Sequence, residues 1–250
     1  VRSLDFATEG ARVIVVVRDE FAGADVVGEA IIRGAVDAQF LKVDLLERDA
    51  GERIAESAQD MFGAIDVLVN NVGGNTAMGL FVHSDPDSWQ GDIDITLTTV
   101  LRATRAVLPQ MIARRLGRII NTGSVSGTVG DYMLSVYSAA KGAVHSFTRV
   151  LAKEAGQHGI TVNCVAPYLT LLDDPADLSN GSRFHPDHGF FTRAMAGIDP
   201  AEIAKLHRNG PLDRTVARAD EVSAAVLYLA SARAAFVTGQ ILHVDGGTLL

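Results

Sequence analysis

Cysteine is nearly absent from this 250-residue chain. Cys164 stands alone, so neither an intrachain disulfide nor a cysteine metal cluster can form. Lysine is scarce as well: Lys42, Lys141, Lys153 and Lys205 face eighteen arginines, and each has to be accounted for. An excess of positive charge is missing. The formal net charge of −8 argues against a nucleic-acid partner and against docking on an anionic membrane. Long apolar runs are missing too, since stretches such as Val13–Val17 fall far short of the roughly 20 residues a membrane-spanning helix needs. No basic-then-apolar leader opens the sequence. The expectation is a cytoplasmic protein with a small-molecule substrate, no nucleic acid and no membrane.

The composition that remains, 48% hydrophobic and 21% charged, is that of a globular chain. Short β-branched runs at Arg12–Val17, Ala38–Val43, Ile65–Asn71, Arg118–Gly123, Thr161–Val165 and Ile241–Val244 are apolar almost throughout, as in parallel strands covered on both faces. Stretches of helical period lie between them, at about 20–33, 47–62, 86–113, 135–158 and 220–231. Asp85-Pro86-Asp87 supplies a cap, a first-turn proline and a first-turn acid. This alternation predicts an α/β fold, a doubly wound, Rossmann-like parallel sheet in a single domain over residues 1–250. Two regions depart from it. Val1 to Ala7 reads as a helix already under way, uncapped and not begun by Met. Residues 168–212 hold four prolines and little period, and following a sheet strand they suggest a substrate lid.

Tyr137-Ser138-Ala139-Ala140-Lys141 is the strongest chemical signal. On a helix, positions i and i+4 share a face, so the Lys141 ammonium sits beside the Tyr137 phenol and favours its ionised form. A tyrosine so placed exchanges protons near neutrality. Ser124 lies thirteen residues upstream, at the end of the strand Arg118–Gly123. Ligands of such sheets bind beyond the strands' carboxyl ends, where a serine hydroxyl donates to a developing oxyanion. A plain turn is the other reading of Ser124 and Ser126.

Together these residues resemble the short-chain dehydrogenase/reductase family. Asn70-Asn71-Val72-Gly73 is similar to its NNAG motif. Gly117 to Asn121 with Ser124 resembles its serine-bearing strand, and Tyr137 and Lys141 its YxxxK. Val162-Asn163-Cys164-Val165-Ala166-Pro167 resembles the run into its PG motif, and Val244-Asp245-Gly246-Gly247 its C-terminal turn. The resemblance spans nearly the whole chain. It implies NAD(P)-dependent interconversion of a secondary alcohol and a ketone, with Ser124, Tyr137 and Lys141 as catalytic residues. Tyr137 would move the proton, Ser124 would hold the substrate oxygen, and Lys141 would also bind the nicotinamide ribose. A 3-oxoacyl thioester, a cyclic alcohol and a steroid-like ketone all stay open as substrates. A homotetramer pairing helices 86–113 and 135–158 is implied.

Cofactor contacts carried over by the same resemblance are Arg18, Asp44, Asn70, Gly73, Pro167 and Thr170, besides Tyr137 and Lys141. Val17 stands where an acid would read the ribose of NAD, and Arg18 follows it, so the pattern leans to NADP over NAD. Asp44 would contact adenine or cap a helix. Asn70 and Gly73 would line the adenosine side, and Pro167 and Thr170 the nicotinamide side.

The sequence departs from the family at three points. Thr96 occupies the position of the family's asparagine, either as a substitute holding the relay water or as a plain helix residue. Tyr168 replaces the glycine of PG and suggests a reshaped loop. The first strand and its TGxxxGxG turn are not found. About 20 further residues are expected, without which two inner strands stay unpaired, dinucleotide binds weakly and the chain is poorly stable. Arg183, His185, His188, Arg193 and His207 decorate the lid, either as a solvated polar loop or as recognition groups for an acidic substrate. His185 and His188 lack a third ligand at a known spacing, so no metal is expected. The other function class is a non-catalytic relative that binds a ligand or partner. The intact Ser124, Tyr137 and Lys141 favour the enzyme, whereas Thr96, Tyr168 and the missing turn favour the binding protein.

Overall fold

The computed structural model describes residues 3–171, 187, 189, 198–212, 214 and 216–250. Its elements run in chain order as α1 (Ser3–Thr8), β1 (Arg12–Val17), α2 (Glu20–Ile32), β2 (Asp37–Lys42), α3 (Ala50–Phe62), β3 (Val67–Asn70), α4 (Pro86–Ile93), α5 (Thr99–Arg114), β4 (Gly117–Thr122), α6 (Ser126–Val129), α7 (Ser135–Ala155), β5 (Ile160–Pro167), β6 (Leu169–Leu171), α8 (Pro200–Ala204), β7 (Val216–Arg218), α9 (Ala219–Ala230) and β8 (Ile241–Val244). The expected doubly wound, parallel α/β architecture is present, and all six expected strands occur within a residue or two of their predicted ends.

Four strands form the central sheet in the order β3-β4-β5-β8, all parallel. Both its faces are sealed, as a parallel sheet requires. On one face Val107 and Met111 of α5 and Leu151, Ala152 and Ala155 of α7 meet Ile119, Ile160 and Val162. On the other, Val222, Val226 and Leu229 of α9 meet Ile120 and Val165, with Phe6 of α1 alongside. β1 and β2 form a separate parallel pair, and α2 and α1 close over it through Ala30, Ala7 and Ala38.

β1 pairs only with β2, and β3 only with β4, among the described residues. Between their inner edges lies a cavity of about 580 Å³, lined by every residue of both strands together with Ile54 and Phe62 of α3 and Val100 and Ala103 of α5. The two inner edges expected to stay unpaired are those of β1 and β3.

Three expectations are refined by the structure. The helix expected over 86–113 holds from Pro86 to Arg114 but carries a π-helical turn at Asp94–Thr98. Thr98 Oγ1 donates to Asp94 Oδ1 at 3.0 Å and Thr99 Oγ1 to the Ile95 carbonyl at 2.9 Å, so side chains compete with the helical ladder there. The third strand begins at Val67 rather than Ile65, because the Ile65 N–H donates to Gln110 Oε1 at 3.1 Å instead of joining the ladder. The stretch 168–212 is not irregular throughout: Leu169–Leu171 pairs in parallel with Val216–Arg218, and Pro200–Ala204 is helical with Asp199 as its cap. Arg183, His185, His188 and Arg193 lie outside the described residues; His207 is exposed.

Asn121, fully buried on β4, ties the central elements together. Its Oδ1 accepts from Asn70 Nδ2 on β3 at 2.9 Å, and its Nδ2 donates to Thr148 Oγ1 on α7 at 2.9 Å. Asn70 also donates to Thr104 Oγ1 on α5 at 3.0 Å. Replacing Asn121 by Leu strands donors and acceptors on both sides. We expect Asn121→Leu to lower the unfolding free energy by roughly 2–4 kcal/mol in urea titrations. A loss below about 0.5 kcal/mol, the range of ordinary surface substitutions, would show that the network contributes little.

Candidate functional site

The site gathers beyond the C-terminal end of β4. Ser124 follows the strand by two residues and is buried. Its Oγ accepts from the Ser126 N–H at 3.1 Å and donates to Ser126 Oγ at 3.0 Å, and Ser126 Oγ donates in turn to Asp131 Oδ2. Tyr137 and Lys141 are one turn apart on α7, as their spacing predicts. The Lys141 side chain is 3% exposed. Its Nζ donates to the Thr122 carbonyl at 2.6 Å and stands 5.9 Å from the centre of the Tyr137 ring.

Burial of the Lys141 ammonium pushes its pKa down to about 8, partly opposed by the nearby Cys164 thiol. Burial likewise pushes the Cys164 pKa up to about 12, so the chain's single cysteine remains a thiol. Two glycines face Lys141, one its side chain and one its backbone. A Cβ at Gly73 would stand 3.0 Å from Lys141 Nζ, and a Cβ at Gly127 would stand 2.7 Å from the Lys141 carbonyl carbon. Gly73 therefore leaves room for the ammonium, and Gly127 lets α6 press onto the α7 backbone.

Thr96 is fully buried in the π-turn. Its hydroxyl donates to the Gly74 carbonyl at 2.7 Å and accepts from the Gly74 N–H at 3.1 Å. The hydrogen is thus committed to the 73–74 backbone, and one lone pair is left for any water. Asn70 needs reinterpretation: both hydrogens of its buried amide go to Thr104 and Asn121, which makes the side chain part of the scaffold.

Arg18 lies exposed just past the end of β1. Asp19 caps α2, accepting from the N–H groups of Phe21 and Ala22. Lys42, beside Val17 in the β1–β2 register, brings a second cation to this strand end, paired with Glu20 at 3.2 Å. Asp44 is no helix cap; its Oδ1 accepts from the Leu46 N–H at 3.0 Å within a turn, and Asp49 occupies the start of α3. Pro167 closes β5. Thr170, on β6, has a buried Oγ1 with no hydrogen-bond partner among the described residues. A buried hydroxyl left open costs free energy unless something reaches it, so this atom fits an amide such as that of nicotinamide.

Sequence reasoning missed several residues of this neighbourhood. His145 continues the face of α7 one turn beyond Lys141, a helical spacing that could have revealed it. It is buried, its Nε2 lacks a hydrogen-bond partner among the described residues, and its Nδ1 is 3.5 Å from Thr128 Oγ1, which meets His243 Nε2 at 2.8 Å. Asp131, bound to both Ser126 and Arg208, had no local signal. Met133 holds a left-handed φ of 63° before the Tyr137 helix, a conformation that costs about 1–2 kcal/mol for a residue with a side chain.

His145 makes the fold sensitive to acid. Burial, then repulsion from His243, Arg149 and Lys141, lowers its pKa to about 4. The unfolded chain takes up this proton near pH 6.5, but the folded chain refuses it until about 4. Stability should therefore fall as pH drops through that window, by roughly 3 kcal/mol. His145→Phe should flatten the pH dependence of urea unfolding there; an unchanged slope would show that His145 does not set it.

Comparison with known proteins identifies the family. The family model described as enoyl-(acyl carrier protein) reductase matches residues 3–248. The chain is 38% identical over 211 residues to nodulation protein G of Rhizobium meliloti, covering 84% of this chain and 76% of that protein. It is 35% identical over 236 residues to the 3-oxoacyl-[acyl-carrier-protein] reductase FabG of Vibrio harveyi, covering 90% and 87%. Among solved structures it resembles a putative beta-ketoacyl-ACP reductase, with TM-score 0.77, 31% identity and coverage of 98% and 90%. NAD+-bound xylitol dehydrogenase shares the fold, with TM-score 0.81, 23% identity and coverage of 98% and 92%. The chain belongs to the short-chain dehydrogenase/reductase family and is an NAD(P)-dependent oxidoreductase.

Proposed function

We propose that this protein reduces the ketone of a 3-oxoacyl thioester to a secondary alcohol, with NADPH as the preferred reductant. The observation that carries the reading is the buried Lys141 ammonium, set between the end of β4 and the Tyr137 ring with Ser124 close by on the same strand end. The names of relatives about one-third identical to it supply the substrate class.

The reduced nicotinamide, when bound, supplies the hydride that goes to the carbonyl carbon. The chain's own residues handle the oxygen. Ser124 turns its hydroxyl hydrogen to the carbonyl oxygen and holds it in place. Tyr137 gives its phenolic proton to that oxygen as the hydride arrives, which leaves an alcohol and a phenolate. The Lys141 ammonium, itself buried, stabilises the phenolate. Gly73 and Thr96 keep the 73–74 backbone against the ammonium. Thr170 and Pro167 would hold the nicotinamide amide, and Arg18 the 2′-phosphate, with no acid at Val17 to repel it.

For the remaining partners we propose copies of this same chain, by family resemblance a tetramer. The outward surfaces of α5 and α7 support this, since Leu101 and Val150 are exposed there. No described helix is long and apolar enough to cross a membrane. A cytoplasmic location is part of the same proposal.

The test is NADPH oxidation with acetoacetyl-CoA, followed at 340 nm, with xylitol and NAD+ as the alternative pair. Tyr137→Phe should keep its melting temperature and lose at least ~10²-fold in kcat. Activity within threefold of the parent would remove Tyr137 from the proton step. NADPH should bind more tightly than NADH, and Arg18→Ala should narrow that gap; tighter NADH binding would reverse the cofactor assignment.

A further inference from the structure

The hydroxyl of Ser124 is not free in the structure. Its hydrogen goes to Ser126 Oγ, whose own hydrogen goes to Asp131. To serve a substrate oxygen, Ser124 must withdraw that hydrogen from a chain that ends on a carboxylate. The pull of this carboxylate therefore bears on the reaction.

Asp131 is held by a residue 77 positions away. Arg208 Nε donates to Asp131 Oδ1 at 2.9 Å, and Arg208 Nη2 donates to the Gly130 carbonyl at 2.7 Å. The Asp131 side chain is 12% exposed and that of Arg208 30%, so the pair is shielded better than a surface ion pair. The Arg208 backbone is fixed as well: its N–H donates to Tyr168 Oη at 3.0 Å, while Tyr168 Oη donates to the Leu206 carbonyl at 2.9 Å. Tyr168, which stands where the family motif has glycine, thus anchors the segment that carries Arg208. A second tie lies beside the first. Tyr132 Oη donates to Glu202 Oε2, Lys205 Nζ donates to Glu202 Oε1 at 2.6 Å, and Lys205 stands 5.3 Å from the Tyr132 ring centre. Residues 199–208 are thereby docked on the 130–132 loop, directly before the helix that bears Tyr137.

We propose that Arg208, docked on Asp131, is a positioning residue that controls the hydroxyl of Ser124. The inference rests on the reductase reading for its kinetic arm only. With Arg208 in place, the Asp131 charge is compensated, and Ser126 and Ser124 release their hydrogens at lower cost. Without Arg208, a bare carboxylate holds the Ser126 and Ser124 hydrogens and sets a negative charge near the oxygen on which negative charge develops. The harm comes from the uncompensated charge, so removing that charge repairs it. A merely structural tie would behave the other way, since loss of its second partner cannot restore docking.

The experiment compares the full chain with Arg208→Met, Arg208→Lys, Asp131→Asn and the Arg208→Met/Asp131→Asn pair. kcat and KM are measured separately with acetoacetyl-CoA and NADPH. Amide exchange of the 124–132 peptides is read in the absence of both. Arg208→Met should lose about tenfold in kcat with KM within about twofold, short of the ~10²–10³-fold cost of deleting an oxyanion donor. Arg208→Lys should keep most of the rate, and adding Asp131→Asn should bring Arg208→Met back to within about threefold of the parent, the sign of coupled residues. The 124–132 amides should exchange faster in Arg208→Met. A double variant as slow as Arg208→Met, or an unchanged kcat in Arg208→Met, overturns the proposal. If the parent reduces no 3-oxoacyl thioester, the substrate reading fails by itself, and the exchange data decide: unchanged protection at 124–132 in Arg208→Met overturns the coupling.

Discussion

An ammonium group sealed inside a protein has to be compensated by neighbours or give up its proton, and Lys141 is poised between these outcomes. Burial draws its pKa down to about 8, so it is still charged at neutrality, where its Nζ donates to the Thr122 carbonyl and faces the Tyr137 ring. Much of the surrounding architecture is what this burial requires. Gly73 gives up a side chain to admit it. The π-turn brings Thr96 onto Gly74 and holds the loop against it. Its i+4 neighbour His145 is kept uncharged over most of the pH range, which avoids a second buried cation beside the first.

The sheet supplies the rigidity behind that placement. Asn70, Asn121, Thr104 and Thr148 form one buried polar network across β3, β4, α5 and α7, so the strand end carrying Ser124 and the helix carrying Tyr137 cannot shift independently. The side proposed to take the adenosine is built differently. β1 and β2 form their own pair, and the inner edges of β1 and β3 face a cavity rather than each other. Ser124, proposed to hold the carbonyl oxygen, thus follows a strand of the four-stranded sheet, while Arg18 stands on a smaller unit held through helix packing.

What was legible in the sequence followed from period and spacing. Apolar β-branched runs identify the strands because both faces of a parallel sheet are covered. The four-residue spacing of Tyr137 and Lys141 places them on one helical face. What stayed hidden depends on contacts between distant positions. Nothing local marks Asp131 and Arg208 as partners. The three-residue strands at Leu169 and Val216 are too short to show a period, and the π-turn arises from threonine side chains bonding back to the helix. Asn70 shows what a motif does not reveal: its amide hydrogens serve the interior.

With only four lysines in the chain, the central claim can be tested on a single atom. The 13C-lysine-labelled protein gives one side-chain signal per lysine, and Lys141→Met identifies the one of interest. The account predicts that the Lys141 signal titrates near pH 8. A Lys141 signal titrating at the ordinary lysine value of 10.5 would contradict it, since burial would then not disfavour the ammonium.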